Sequence, residues 1–293
     1  MILCSIIIIN ISNYHNQYLS ILNNIPKISI FLPIYNKGKF LSTSIGSLLT
    51  QTLRNIEIVA VNDGSTDESL NELKKLSKID RRIKIINNDR NHGPLYSRAM
   101  GIINSSGEYM MNLDADDKLI NDNDLKLIYK KAKASNADFL RFLVNRIPNR
   151  KNETYLFNYL NTNQLLYKDF LITNKLILRE IYLKAFFFLK ERIFGKKFII
   201  HDDNVWNEAV RKFSNTSIIL NKSIYYYKRN EKSLNNFRGS FIDLQSQIYR
   251  LDMLMKINNK MQNKKFKNFL VEIINYFNYS SSRLPQHELK KIY

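Results

Sequence analysis

Three aspartates, Asp114, Asp116 and Asp117, stand within four consecutive positions directly after an apolar run. Carboxylates at this spacing repel one another, so each would resist ionisation. A hard divalent cation removes the repulsion, because Mg²⁺ or Mn²⁺ takes one or two carboxylates together with substrate phosphates. Such a metal can bridge a diphosphate and stabilise the charge that develops when it leaves. An acidic turn or a helix cap has the same pattern, so the motif alone leaves both interpretations open.

A second polar segment, residues 62–67, follows another apolar run and contains Asp63 and Gly64. Glycine permits a tight turn close to a ligand. The carboxylate of Asp63 could accept hydrogen bonds from the imide of a pyrimidine base. The structural alternative is a turn and helix start, because Ser65 and Glu68 match a capping box and predict a helix that begins at Ser65. That alternative leaves Asp63 unexplained.

A third segment, residues 91–94, precedes Arg98. An arginine in the first turn after a glycine loop could meet a phosphate or the base, or it could pair with a nearby aspartate. His92 in the same segment is interpreted as a polar loop residue rather than a ligand.

A fourth segment contains the adjacent acids Asp202 and Asp203, which follow an apolar stretch and precede a helical pattern. A carboxylate here could act as general base toward an acceptor hydroxyl. Acidic residues are also favoured in the first turn of a helix by its dipole, which gives the pair a structural alternative.

The apolar pattern predicts the elements that would position these segments. Nearly continuous apolar runs are typical of buried parallel strands, here at residues 28–34, 56–61, 83–86, 109–113 and 138–144. Helical periodicity occupies the intervals. Alternation of this kind predicts an α/β fold with a doubly wound, mostly parallel central sheet. Its crossovers bring the loops after the strands to one edge, where ligands bind. The loops at 35–36, 62–65 and 114–117 are therefore expected to face one cleft.

The chain has 293 residues, 44% of them hydrophobic, and a formal net charge of +19. This charge favours phosphate-bearing partners such as phosphorylated metabolites or anionic lipid headgroups, although a composition rich in Lys, Asn and Ile explains it equally well. The basic residues are spread along the chain without a nucleic-acid-binding motif, so no nucleic acid partner is expected. No Gly-x-Gly-x-x-Gly follows the first strand, which argues against a nicotinamide-dependent dehydrogenase.

Three features bear on localisation. The single cysteine, Cys4, cannot form a disulfide within the chain and fits a reducing compartment. The apolar run at residues 2–9 is too short to span a bilayer, and no Lys or Arg precedes Lys27, so no signal peptide is expected. The aromatic and basic segment 184–198 could lie on a membrane surface, but a core helix with a solvated basic face is favoured. We expect a cytoplasmic protein, with peripheral contact to the inner face of an anionic membrane as an option.

Taken in order, these segments resemble the family 2 glycosyltransferases of the GT-A fold. The resemblance covers roughly residues 27–230, with a nucleotide-sugar half at 27–120 and an acceptor half at 121–230. Residues 1–26 would be an N-terminal extension and residues 231–293 a basic, helical C-terminal region. The segments that carry the resemblance are Pro-Ile-Tyr-Asn at 33–36, Ser-Leu-Leu-Thr-Gln-Thr-Leu at 47–53, Val-Asn-Asp-Gly-Ser-Thr-Asp at 61–67, the block at 91–109, Leu-Asp-Ala-Asp-Asp at 113–117 and Asp-Asp-x-x-Trp-Asn at 202–207.

The resemblance implies a role for each matched residue. Pro33 and Tyr35 would border the base of a nucleotide sugar, with a UDP-sugar the expected donor, and Asp63 would bind the uracil. Asp203 would be the catalytic base of an inverting single displacement, with Asp202 as the alternative. The implied contacts to the nucleotide sugar are Pro33, Tyr35, Asn36, Asp63, Arg98, Asp114, Ala115 and Asp116. The implied ligands of Mn²⁺ or Mg²⁺ are Asp116, Asp114 and Asp117.

The sequence departs from the family pattern in three places. Asn62 replaces the usual first aspartate of the second block, which leaves Asp63 as the base-binding acid. Asp202 replaces the usual glutamate before the catalytic base. No Gln-x-x-Arg-Trp block is present, since Trp206 is the only tryptophan, and this disfavours a processive polymer synthase.

The sequence therefore predicts a non-processive hexosyl- or N-acetylhexosaminyltransferase. It would move one sugar to a glycan or lipid-linked acceptor during synthesis of bacterial lipopolysaccharide, capsule or a related surface polysaccharide. The alternative is a non-catalytic module that binds nucleotide or nucleic acid.

Overall fold

The computed structural model describes residues 25–146, 172–193 and 202–228. These residues form eight strands and six helices. The strands are β1 (Ile28–Ile34), β2 (Ile56–Asn62), β3 (Ile83–Asn87), β4 (Tyr109–Asn112), β5 (Lys118–Leu119), β6 (Phe139–Arg146), β7 (Lys175–Leu178) and β8 (Ser217–Tyr227). The helices are α1 (Gly38–Leu49), α2 (Ser69–Ile79), α3 (Pro94–Ile103), α4 (Asp124–Ala134), α5 (Arg179–Ile193) and α6 (Asp202–Phe213).

All eight strands belong to one sheet in the order β3-β2-β1-β4-β7-β6-β8-β5. Strands β1 to β4 pair in parallel. Both faces of this half are covered by helices, which is why β1 and β2 are almost continuously apolar and buried. The predicted α/β fold with a mostly parallel sheet is confirmed.

The second half of the sheet has mixed pairing. Strand β7 runs antiparallel to both β4 and β6, β8 runs parallel to β6, and β5 runs antiparallel to β8. As a result β7, which is distant in sequence from β4, lies next to it. Strand β8 lies next to β5 and contacts the loop between β4 and β5. This arrangement brings residues of both halves of the chain to one edge of the sheet.

Two apolar cores pack on opposite faces of the sheet. One face is covered by α1, α2 and α4, and the other by α3, α5 and α6. Trp206 and Tyr182 are fully buried in the second core, where their rings meet edge to face with centroids 6.4 Å apart. Aromatic side chains of this size supply much of the burial that fixes a helix on a sheet. Helix α6 is thereby held against α5.

The aromatic segment that begins at Lys184 lies in α5 as far as Ile193. Phe186 is 6% exposed and Leu189 is fully buried, whereas Phe187 on the outer face is 60% exposed. The core-helix interpretation is therefore confirmed for this part, and residues 194–198 lie outside the described residues. No helix within residues 25–146, 172–193 and 202–228 combines the length and apolar character needed to cross a membrane.

The predicted helix start at Ser65 is wrong, because α2 begins at Ser69. Asp67 explains the difference. Its carboxylate accepts hydrogen bonds from the backbone N–H of Ser69 at 2.9 Å and of Gly38 at 3.1 Å. Burial would raise the pKa of Asp67, but these bonds and one from the Ser69 hydroxyl outweigh it and lower the pKa. The residues before Ser69 are thus used to join α2 to the start of α1.

The N-terminal extension and the basic C-terminal region lie outside the described residues, apart from the boundary positions 25–26. Their predicted organisation stays a prediction, as do the domain limits.

A close approach of α3 to β1 depends on Gly101. A Cβ atom added there would lie 2.7 Å from Phe31 Cβ. We expect Gly101→Ala to lower the free energy of unfolding by about 1–3 kcal/mol through overpacking. Gly46→Ala in α1 is the matched control, because nothing lies within 4 Å of its added Cβ. That change should be neutral or stabilise by up to about 1 kcal/mol. Urea unfolding measures both, and equal effects would contradict the close approach.

Candidate active site

Asn36 joins the loops that follow β1 and β2 at the carboxyl edge of the sheet. It comes after Tyr35, two residues past the end of β1. Its backbone adopts a left-handed φ of 52°. The side-chain oxygen accepts a hydrogen bond from the backbone N–H of Thr66 at 2.8 Å. The backbone N–H of Asn36 donates to the Ser65 hydroxyl at 3.0 Å. Asn36 therefore fixes the loop after β1 against the loop after β2. Beside it, Tyr35 is 44% exposed and Pro33 is partly buried.

Asp63 fixes the next loop along the edge. It is 3% exposed, and its Oδ1 accepts hydrogen bonds from Asn88 Nδ2 at 2.9 Å and from the backbone N–H of His92 at 3.0 Å. Its Oδ2 accepts one from the backbone N–H of Gly93 at 2.8 Å. Charge-assisted bonds of this kind are among the stronger ones in proteins. Asp63 thus shapes the loop that leads into α3, a role that its sequence position did not reveal.

The loop that leads into α3 packs closely against Gly64. This glycine has a φ of 63°, and a Cβ there would come within 2.4 Å of the Arg90 carbonyl carbon. Only glycine combines this conformation with such a close approach. The His92 ring stacks on Tyr96 with centroids 4.4 Å apart, and its Nε2 lies 2.7 Å from Asp89. These contacts agree with the interpretation of His92 as a polar loop residue.

The four residues of the acidic loop have different surroundings. The Asp114 side chain is 31% exposed and the Asp116 side chain 16% exposed. Asp116 Oδ2 lies 2.5 Å from Lys37 Nζ, which comes from the loop after β1. Ala115 is 2% exposed and packs in the apolar core. The first and third of these residues therefore open toward the edge where the other loops meet.

Asp117 points the other way, into the contact with β8. Its Oδ2 accepts a hydrogen bond from the Tyr225 hydroxyl at 2.6 Å, and its Oδ1 accepts one from the backbone N–H of Lys228 at 2.8 Å. The Tyr225 hydroxyl in turn accepts a bond from the backbone N–H of Asp114 at 3.1 Å. Burial, together with the charge of Asp114, raises the pKa of Asp117 to about 8. Both oxygens of Asp117 thus stabilise the loop.

Arg98 joins the acidic loop to the start of α6. It is 5% exposed, and its Nη2 lies 3.0 Å from Asp114 Oδ1 and 3.2 Å from Asp203 Oδ1. Its Nη1 donates a hydrogen bond to Asp202 Oδ2, and its Nε donates to Asn112 Oδ1 at 3.1 Å. The sequence left open whether Arg98 meets a phosphate or an aspartate. The structure pairs it with aspartates.

This cluster sets the ionisation of its members. Burial would lower the pKa of Arg98, but the three carboxylates outweigh it and raise the pKa well above its ordinary value. Arg98 therefore stays charged. Burial raises the pKa of Asp203 to about 7. Arg98 opposes that shift, and the other two carboxylates add to it. One guanidinium cannot neutralise three carboxylates, so the centre carries excess negative charge.

The structural interpretation of the Asp202 and Asp203 pair is confirmed, and the general-base interpretation stays a prediction. The two acids form the first turn of α6, where the helix dipole favours negative charge. The same turn places them against Arg98. Trp206, one turn further along α6, is fully buried and holds this end of the helix in the core.

The oxygen donors that open toward the edge suit a divalent cation. Asp114 and Asp116 offer hard carboxylate ligands, and the Lys37 ammonium already balances the charge of Asp116 by direct contact. No three acidic, histidine or cysteine side chains enclose a possible metal position in the part of the chain that the structure describes. An open pair of carboxylates fits an ion that completes its shell with substrate phosphates.

Several residues of this site could not be found from the sequence. Tyr225 comes from β8, and Lys37 is one of many lysines in the sequence. Neither position carries a local motif, and only the pairing of distant strands and loops shows their contacts.

We expect Arg98→Gln to lower the free energy of unfolding by about 3–5 kcal/mol, because it leaves the buried carboxylate of Asp202 without its counter-charge. Lys133→Gln is the matched control. It removes the same charge from an ion pair with Glu108 whose side chains are 50% and 32% exposed, and it should cost at most about 1 kcal/mol. Guanidinium unfolding measures both variants. Similar losses would show that Arg98 does not hold the cluster together.

Curated relatives of this chain are bacterial glycosyltransferases. An uncharacterized glycosyltransferase of Haemophilus influenzae is 43% identical over 96 residues, which are 33% of this chain and 30% of the relative. Glycosyltransferase GlyA of Streptococcus pneumoniae serotype 4 is 33% identical over 229 residues, which are 71% of this chain and 31% of the relative. The chain thus spans about a third of the length of these two relatives.

Solved structures show the same fold. Residues 1–349 of TarS of S. aureus, in complex with UDP-GlcNAc, superpose with a TM-score of 0.69 at 21% identity, covering 90% of this chain and 77% of that one. The mannosyltransferase PcManGT of Pyrobaculum calidifontis, in complex with GDP-Man and Mn²⁺, superposes with a TM-score of 0.57 at 11% identity, covering 92% of this chain and 79% of that one.

The family model described as glycosyl transferase family 2 matches residues 29–196, which are more than half of the sequence. The match contains β1 except Ile28, together with the loop after β2, Arg98 and the acidic loop. The chain therefore belongs to glycosyl transferase family 2, as its sequence motifs had indicated.

Proposed function

We propose that this chain is an inverting, metal-dependent glycosyltransferase that moves one sugar from a UDP-sugar to a hydroxyl of a glycan or lipid-linked acceptor. The observation that carries the proposal is the Arg98 centre. One buried guanidinium holds Asp114, on the donor side, next to Asp202 and Asp203 in the first turn of α6. A transferase needs this proximity, because the leaving diphosphate and the attacking hydroxyl meet at one carbon atom.

The donor side of the cleft is formed by the loops after β1 and β2. Tyr35 is exposed enough to stack on a base. Asp63 already accepts three hydrogen bonds from the chain, but two carboxylate oxygens offer about four acceptor positions. One position is left for the imide N–H of uracil. The structural neighbour TarS, whose complexes contain UDP and UDP-GlcNAc, supports a uridine nucleotide.

Asp116 and Asp114 are the proposed metal ligands. Asp117 is not proposed as a direct ligand, because the Tyr225 hydroxyl and the backbone of Lys228 occupy its oxygens. When bound, Mn²⁺ or Mg²⁺ would supply positive charge for the diphosphate as it leaves. The Mn²⁺ complex of the neighbour PcManGT supports this assignment. Lys37 would be free to turn from Asp116 to a phosphate oxygen.

Asp203 is the proposed general base. Its side chain is 26% exposed, against 6% for Asp202, which is bonded to Arg98 at the back of the cluster. A carboxylate with a pKa of about 7 is well matched to proton transfer near neutral pH. Asp203 takes the proton of the acceptor hydroxyl as that oxygen attacks the anomeric carbon. The bond to the diphosphate breaks on the opposite face, and the configuration inverts.

The biological setting that we propose is the synthesis of lipopolysaccharide, capsule or a related bacterial surface polysaccharide. The match to bacterial glycosyltransferases supports it. A formal net charge of +19 would draw the chain to the anionic inner face of the plasma membrane, where a lipid-linked acceptor is found. We therefore propose a cytoplasmic enzyme with peripheral membrane contact.

A donor screen tests the activity and its metal requirement. The chain is incubated with UDP- and other nucleotide sugars, with Mn²⁺ or with chelator, and release of nucleoside diphosphate is measured. We expect release from a UDP-sugar with Mn²⁺ and at least about a tenfold loss in Asp116→Asn, because a charged metal ligand is removed. Asp122→Asn, which changes an exposed acid bonded to Thr50 far along the chain, should retain full activity.

Full turnover in chelator, or in Asp116→Asn, would contradict the metal-dependent mechanism. Tight binding of UDP-sugar without any release would favour a non-catalytic binding module instead.

The pH dependence tests the general base. Asp203 acts only when it is ionised, so kcat/KM should rise as pH increases through about 7 and reach a plateau above it. We expect Asp203→Asn to lower kcat by a factor on the order of 10²–10⁴ and to abolish this rise. Asp202→Asn should keep a rise but shift it to lower pH, because the charge of Asp202 raises the pKa of Asp203. The opposite assignment follows if Asp202→Asn removes the rise and Asp203→Asn retains it.

A further inference from the structure

Lys175 is a buried lysine on β7 to which the proposed mechanism gives no role. It is 2% exposed, and its Nζ donates a hydrogen bond to Asn174 Oδ1 at 2.9 Å. An ammonium group is costly to bury unless hydrogen bonds and opposite charge compensate for the lost water. An amide oxygen satisfies one donor but does not balance the charge. Negative charge near Lys175 would favour its charged form.

The sheet register shows which residue lies opposite Lys175. Met111 of β4 pairs with Leu176 of the antiparallel strand β7. The next residue of β4, Asn112, is therefore opposite Lys175. Residues opposite each other on neighbouring strands share one face of the sheet. Asn112 accepts the hydrogen bond from Arg98 Nε, so Lys175 lies beside the Arg98 centre.

The excess negative charge of the Arg98 centre would be reduced by a second cation. Arg98 carries one positive charge and meets three carboxylates, those of Asp114, Asp202 and Asp203. The Lys175 charge acts on Asp203 and lowers its pKa, against the larger opposite effect of burial. Lys175 thus acts from the sheet, whereas Arg98 acts from α3.

The groups that influence Asp203 come from five elements. They are Arg98 on α3, Asp114 after β4, Asp202 on α6, Tyr182 on α5 and Lys175 on β7. The two cations favour the ionised form of Asp203, and the two carboxylates and burial oppose it. Tyr182 is neutral at physiological pH, because burial raises its pKa well above the ordinary value.

We propose that Lys175 is a positioning residue for catalysis: it is the second cation of the Arg98 centre and holds Asp203 in the ionised form that accepts the proton of the acceptor hydroxyl. This inference rests on the proposed function, since it assumes that Asp203 is the base. Without Lys175, Asp203 would retain its proton at neutral pH, and the chain would need a higher pH to work.

The first experiment compares Lys175→Met with Lys175→Arg in the donor-turnover assay between pH 5.5 and 9. We expect the rise of kcat/KM in Lys175→Met to shift by about one unit to higher pH. Turnover should then fall about tenfold at pH 6.5 and stay within about twofold of wild type at pH 9. Lys175→Arg keeps the charge and should keep the wild-type profile. A merely structural lysine predicts the same loss at every pH, and that result would overturn the proposal.

The second experiment needs no turnover, so it separates this proposal from the proposed function. Because burial raises the pKa of Asp203, ionising it destabilises the fold as pH rises from about 4 through about 7. Removing Lys175 should increase the stability that is lost when Asp203 ionises. The Tm deficit of Lys175→Met against wild type should therefore be larger at pH 8 than at pH 5.

The control repeats the comparison in an Asp203→Asn background, where the two deficits should become nearly equal. A deficit that varies with pH in the same way in both backgrounds would overturn the link between Lys175 and Asp203. Lys175→Gln, which keeps a polar partner for Asn174, replaces the Met variant if that variant does not fold. A chain that shows this coupling but no turnover would refute the proposed function and leave the electrostatic link in place.

Discussion

The ion pairs of one buried guanidinium organise this cleft. Arg98 lies on α3, yet it contacts the loop after β4 through Asp114 and the first turn of α6 through Asp202 and Asp203. These three segments come from different parts of the chain, and the ion pairs of Arg98 connect them directly. Arginine suits this task because its planar fork offers five donors in fixed directions and keeps its charge when buried. The burial of Asp202 is tolerated only because its carboxylate pairs with Arg98. Stability and the arrangement of the site are therefore linked at one residue.

Around that centre, several polar side chains have structural roles that also set the shape of the cleft. Asn36 ties the first loop to the second, Asp63 holds the loop before α3, and Tyr225 holds the acidic loop from β8. Each satisfies backbone N–H groups that would otherwise be exposed at the ends of strands and helices. A rigid set of loops suits transfer chemistry, because donor and acceptor must be held in one geometry. The acidic residues of the loops differ in their surroundings. Asp117 and Asp67 stabilise the fold through hydrogen bonds, whereas the side chains of Asp116 and Asp203 are partly exposed.

Much of the fold was predictable from local pattern. Buried parallel strands are nearly continuous in apolar residues, so β1, β2, β3 and β4 were found within about one residue. The loops that follow these strands were then placed correctly at one edge. The start of α2 was not, because Ser65 and Glu68 imitate a capping box while Asp67 and Asn36 use the intervening residues for contacts with another loop. Local pattern also could not assign Arg98, Tyr225 or Lys175. The partners of Arg98 and Tyr225 lie on other elements and loops of the chain, and the place of Lys175 depends on the register of β7 against β4.

The most direct measurement of the proposed site is a crystal structure of the chain grown with UDP and Mn²⁺, with diffraction recorded at the manganese absorption edge. We expect the anomalous peak beside the carboxylates of Asp116 and Asp114, the diphosphate next to it, and the uracil between Tyr35 and Asp63. Arg98 should still join Asp202 and Asp203 beneath the donor. Manganese bound elsewhere, or UDP bound outside the edge formed by these loops, would contradict the assignment of this cleft as the donor site.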